Sequence, residues 1–129
     1  MLFRSRPEDF DVIVASNLFG DILTDLGAVL QGGLGFAAGG NLNPEGAYPS
    51  MFEPVHGSAP TIAGKGIANP IAMIWTAKLM LDFLGHQEAG SRVLDAIRTV
   101  VSKNRPALTQ DIGGKGTTAD VGDLILAAL

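Results

Sequence analysis

The chain has 129 residues, a formal net charge of −4 and 47% hydrophobic residues, which suffices for one small packed domain without disulfides or a structural metal. It contains no cysteine, which excludes disulfides, thiolate metal sites and a cysteine nucleophile and fits a reducing, cytoplasmic setting. The acidic balance and the scatter of its nine Lys and Arg residues argue against a nucleic-acid footprint.

The first ten residues, MLFRSRPEDF, hold no apolar stretch of signal-peptide length. Residues 11–16, DVIVAS, form a short apolar run rich in β-branched side chains and predict a buried, parallel strand. Asn17 follows as an N-cap for a helix reaching Leu30. A strand followed at once by a helix is half of a βαβ unit. Residues 31–50 are glycine-rich and carry Asn41, Asn43, Pro44 and Pro49; they predict a long crossing segment with little regular structure. A short strand is expected over 51–55 and a glycine-containing loop over 56–68. Asn69-Pro70 marks a helix start, with Asn as N-cap and Pro at N1, and that helix should run to Leu84 with Gly85 just past its end. Thr76, Lys78 and Asp82 interrupt its apolar surface, so it is a core helix and not a membrane span. A further helix is expected over 88–103, with Val93, Leu94, Ile97, Val100 and Val101 on one face. Residues 111–116 read as a loop. Thr118 caps a last helix that turns Val121, Leu124, Ile125 and Ala128 inward.

Two constellations carry candidate chemistry. Asp21 and Asp25 stand four residues apart, so their carboxylates share one helix face. A divalent cation between them would relieve their repulsion, and hard carboxylate oxygens suit Mg²⁺ or Mn²⁺. On spacing alone the plainer reading is the more economical: two acids close to a helix N-terminus, where the macrodipole favours them. The second constellation is His56-Gly57-Ser58-Ala59, an imidazole, a hydroxyl and backbone donors with little side-chain cover, followed by Gly64, Gly66 and the helix start at Asn69. Such a loop can wrap a nucleotide or phosphate; an ordinary surface loop with one structural histidine fits the same residues. Two familiar nucleotide motifs fail. Gly33-Leu34-Gly35 lies behind a helix, where a G-x-G-x-x-G loop follows a strand, and Gly64-Lys65-Gly66 lacks the Ser or Thr that a P-loop needs after its lysine.

Taken together, NLFGDILTDLG, NLNPEGAYPSMFEPVHGSAP and GKGIANPIAMIW resemble, in order and spacing, the β-decarboxylating dehydrogenase family of isopropylmalate, isocitrate and tartrate/D-malate dehydrogenases. The resemblance runs from Phe10 to the last helix and leans toward the tartrate/D-malate branch. It implies an α/β chain forming the C-terminal portion of the isopropylmalate/isocitrate dehydrogenase-like fold, which is not a classical Rossmann fold. Residues 1–31 would be the tail end of an inner, dimer-forming domain, and residues 32–129 the C-terminal part of the cofactor-binding domain.

The same resemblance implies NAD-linked, metal-dependent oxidative decarboxylation of a small malate-like 2-hydroxy acid. It matches Asp21 and Asp25 to metal ligands for Mg or Mn. It matches His56, Gly57, Ser58, Ala59 and Asn69 to the loop around the adenosine half of the cofactor, Glu53 to the nicotinamide side, and Gly35 to a close backbone approach. Thr61 departs from the pattern: NAD-dependent relatives have an acid there and NADP-dependent ones a lysine. With nothing basic to meet a 2′-phosphate, NAD is the better expectation. The family's catalytic tyrosine and lysine have no counterpart among these residues, so no catalytic residue is assigned. The chain is expected to be inactive alone and to pair as a homodimer or with a missing N-terminal piece. The rival reading is a non-catalytic nucleotide-binding or interaction module that keeps the family's surface.

Overall fold

The computed structural model describes residues 5–129. Helix α1 spans Asn17–Leu30; strands β1 and β2 span Ala38–Asn41 and Met51–Pro54; helices α2, α3 and α4 span Ile71–Phe83, Gln87–Lys103 and Thr118–Ala128. Short 3-10 turns at Leu34–Phe36, Arg105–Ala107 and Gln110–Ile112 link them.

The core lies between the three C-terminal helices. Ile71 from α2, Ala96, Ile97 and Val100 from α3, Leu108, and Val121 and Ile125 from α4 form one buried cluster. Ile97 and Val100 lie on the α3 face that the 3.6-residue period picks out. Ala128, expected inward, is exposed at the end of α4, one turn beyond the last buried residue of that helix. Gly85, with φ +86°, ends α2 in the left-handed conformation that favours glycine, and the amide of His86 donates back to the carbonyl of Leu81 at 2.8 Å. α4 begins with a capping box. The hydroxyl of Thr117 accepts from the amide of Asp120 at 3.1 Å, while the Asp120 carboxylate accepts from the amide of Thr117 at 2.8 Å. The N-cap is thus Thr117, one residue before Thr118.

The crossing segment is more regular than its composition predicts. Ala38–Asn41 pairs antiparallel with Met51–Pro54, in register Ala38↔Pro54 through Asn41↔Met51. Gly39 and Gly40 have low strand propensity, but they permit close approach: a Cβ on Gly39 would lie 3.0 Å from the carbonyl oxygen of Glu53. The hairpin packs on α2, and the rings of Phe52 and Phe83 meet with centroids 5.7 Å apart.

The N-terminal part differs most from expectation. Residues 11–16 form neither helix nor strand and are exposed, with Val12 and Val14 at 83% and 95%, and they pair with no described strand. Their apolar pattern is that of a strand, but a strand needs neighbours for its backbone groups and for both faces. Asn17 is the first helical residue and not the cap, and Ser16 before it makes no side-chain cap bond. α1 touches the other described elements chiefly through the Leu34–Phe36 turn, and Ala28 is its one buried residue. Met1–Arg4, part of the expected first unit, lie outside the described residues. Among the described residues no helix is long and apolar enough to cross a membrane.

Candidate functional site

A cavity of about 790 Å³ opens where the 56–69 loop meets the start of α2, within the usual size range of small-molecule sites. His56, Gly57, Ser58 and Ala59 line one side, Gly35 and Asn69 another, and Asp111 and Thr118 complete the wall.

Local sequence explains why this loop holds its shape. Ala59 has φ +43°, an uncommon conformation for a residue with a Cβ, and Gly64 and Gly66 also have positive φ. The carbonyl of Ala59 accepts from the amides of Ile62 and Ala63 at 3.0 and 3.1 Å, closing a tight turn after Pro60. The far end of the loop is tied to α4: the Thr118 amide donates to the carbonyl of Gly66 at 2.8 Å, and its hydroxyl to that of Ala68 at 2.6 Å. His56 is half-buried. Its Nδ1 lies 3.1 Å from the carbonyl oxygen of Gly57; a carbonyl only accepts, so Nδ1 carries the proton, and in the neutral ring Nε2 is the acceptor.

Asn69 is the joint of the site. Its Oδ1 accepts from the amide of Ile71 at 3.0 Å, and its Nδ2 donates to Oδ2 of Asp111 at 3.0 Å; the N-cap itself is Pro70 and not Asn69, so the asparagine binds the first helical amide from one residue further out. The helix proper starts at Ile71, one residue later than the sequence suggests. Gly35 packs against this pair, and a Cβ there would lie 2.7 Å from both Asn69 Nδ2 and Asp111 Oδ2. Glycine is therefore required at 35 by close approach.

Two of the candidate cofactor residues stand apart from the cavity. Glu53 sits in β2, exposed and paired with Gly39. Thr61 is exposed on the turn after Pro60; its neighbours Ile62 and Ala63 line the wall and it does not. Asp111 lines the wall but did not stand out in the sequence. It reads there as one residue of a polar loop, and its partner Asn69 is 42 positions away. The Asp-Ile-Gly-Gly run was the available signal, since paired glycines mark a backbone that approaches something closely.

Asp21 and Asp25 are exposed along one side of α1. Neither carboxylate has an ion-pair partner among the described residues, and neither lines the cavity. Two hard oxygen donors on adjacent turns fit one edge of a Mg²⁺ or Mn²⁺ site. They do not complete one, because no group of three acids or histidines able to hold an ion gathers among the described residues.

The chain is similar to known proteins. The chain is 60% identical over 127 residues to a probable tartrate dehydrogenase/decarboxylase of Bacillus subtilis, covering 98% of this chain and 35% of that protein. It is 54% identical over 128 residues to a D-malate dehydrogenase (decarboxylating) of Escherichia coli, covering 95% and 35%. It superposes on the crystal structure of isocitrate dehydrogenase from Methylococcus capsulatus with a TM-score of 0.91 at 45% identity, covering 99% of this chain and 37% of that one. A β-decarboxylating dehydrogenase from Thermococcus kodakarensis gives a TM-score of 0.82 at 44% identity, covering 98% and 36%. The chain thus spans about a third of the length of these relatives. The isocitrate/isopropylmalate dehydrogenase family model matches residues 1–125, and this chain, an α/β portion of that fold, belongs to that family.

Proposed function

We propose that this chain carries the adenosine-binding wall and two metal ligands of an NAD-linked oxidative decarboxylase acting on a malate-like 2-hydroxy acid of the tartrate, D-malate or isopropylmalate kind. The observation that carries this reading is the cavity beside α2, lined by His56, Gly57, Ser58, Ala59 and Asn69 and narrowed by Gly35. An adenosine moiety suits it. Backbone amides of the glycine-rich loop donate to oxygens, and the neutral His56 ring presents Nε2 as an acceptor. Glu53 and Thr61 lie outside this wall.

Asp21 and Asp25 would hold one side of a divalent ion, which supplies Lewis-acid polarisation of the substrate oxygen when bound. Proton transfer requires groups beyond the residues assigned here, so the chain is inactive until a complement supplies them. The exposed apolar side of α1 is the surface we assign to that complement, whether a second copy or the rest of the fold. NAD is favoured over NADP because no Lys or Arg lines the cavity among the described residues.

Calorimetric titration of the chain with NAD tests the reading. The original chain binds, and His56→Ala weakens binding by about tenfold, the worth of one well-placed hydrogen bond in a partly enclosed site. No NAD binding, or His56→Ala titrating as the original does, contradicts it.

A further inference from the structure

Thr117 and Thr118 stand side by side at the start of α4 and do different work. Thr117 caps the helix. Thr118 is the first helical residue, so its amide has no acceptor within the helix. That amide donates to the carbonyl of Gly66 at 2.8 Å, and the Thr118 hydroxyl donates to the carbonyl of Ala68 at 2.6 Å. Among the described residues, these are the two hydrogen bonds that tie residues 56–68 to a distant part of the chain; the others in the loop are local.

The two sides of this junction differ in rigidity. On the α4 side, Val121 is fully buried in the core. The residues leading into α4 are fixed as well: the amide of Lys115 donates to the carbonyl of Pro106 at 3.0 Å and that of Gly116 to the carbonyl of Leu108 at 2.7 Å. A Cβ at Gly116 would collide with the carbonyl of Ala107. On the other side, no residue of 56–68 is buried, and none belongs to the core cluster. Residues 62–64 and 66–68 nevertheless line the cavity. Their shape is therefore imposed from α4 and not by packing of their own.

Resting on the adenosine reading of the cavity, we propose that Thr118 is a positioning residue: its hydroxyl latches the end of the loop to α4, so that this wall stands formed before a nucleotide arrives. The ligand then meets a loop whose conformational freedom has already been lost.

Amide hydrogen exchange of the empty chain, paired with calorimetric titration by NAD, tests this. Thr118→Val removes the hydroxyl and keeps the branched shape; Thr118→Ser keeps the hydroxyl. Thr118→Val should speed exchange at the amides of Ile62, Ala63, Lys65 and residue 118 by about fivefold, the scale of one lost hydrogen bond, with the α3 amides unchanged. NAD binding should weaken by a similar factor, and Thr118→Ser should restore both. Unchanged loop exchange in Thr118→Val overturns the proposal, and if NAD binding weakens all the same, the hydroxyl acts on the nucleotide directly. Faster exchange that extends to α3 overturns it too, because the residue would then support the fold as a whole, as does a Thr118→Ser variant that restores neither property. An original chain that binds no NAD overturns the adenosine reading, while exchange in the empty chain still decides whether the latch exists.

Discussion

At single residues, hydrogen bonds that join distant parts of the chain decide more than intrinsic preferences do. Asn69 was legible in the sequence as the marker of a helix start, one residue out of register, because Asn-Pro is a local signal and its bond reaches only two residues ahead. Asp111 was not, because what distinguishes it is a bond to a residue 42 positions away. Asp120 lies between these cases. The spacing of Thr117 and Asp120 fits a capping box, and the bonds form. The backbone amide of Thr117 first, and its hydroxyl second, hold the Asp120 carboxyl below its usual 3.8. A depressed folded-state value means stability that is fully present above the unfolded value and is lost as pH falls through the folded one. Asp120→Ala should therefore lower the melting temperature near neutral pH, and the gap to the original chain should close as pH falls below the ordinary 3.8 and through the lowered folded-state value. Thr117→Ala should cost about 1 kcal/mol at neutral pH. Thermal melts across that range check both. A gap that stays constant to the acid end would show that the carboxylate charge contributes nothing to the cap.

Among the elements, those that find their partners within the chain were legible and those that do not were misread. α2, α3 and α4 bury apolar faces against one another, so periodicity and caps located them to within one or two residues. β1 was missed because Gly39 and Gly40 erase the strand pattern, and its partner β2 carries the apolar weight of the hairpin. Residues 11–16 were misread the other way, since strand composition is present where no described strand pairs. α1 shares that condition: Leu18 and Val29 are each 67% exposed, and Phe19, Ile22, Leu26 and Leu30 are exposed with them. Apolar surface of this kind is worth roughly 25 cal/mol per Å² once covered, enough to drive association. Sedimentation at low micromolar concentration should show a self-associating chain, and a Leu18→Glu, Val29→Glu double variant should shift it toward monomer. A monodisperse, cooperatively folded original chain would mean that the α1 surface is not an interface.

Over the whole molecule, three elements meet at one cavity: the 56–69 loop, the Leu34–Phe36 turn and the Gln110–Ile112 turn. Each lies in or beside a glycine-containing stretch of the sequence. Their convergence was not, because it depends on α4 anchoring the loop through Thr118 and on the Asn69–Asp111 bond joining segments far apart in sequence. If this junction is the adenosine site, a bound nucleotide must quiet all three elements together. Amide hydrogen exchange with and without saturating NAD measures this directly, since exchange reports local opening residue by residue. Slowed exchange is expected across the 56–69 loop and at residues 34–36 and 110–112, with the α3 amides unchanged. Exchange unaltered at those three elements, or protection confined to α1, would contradict the assignment of the cavity.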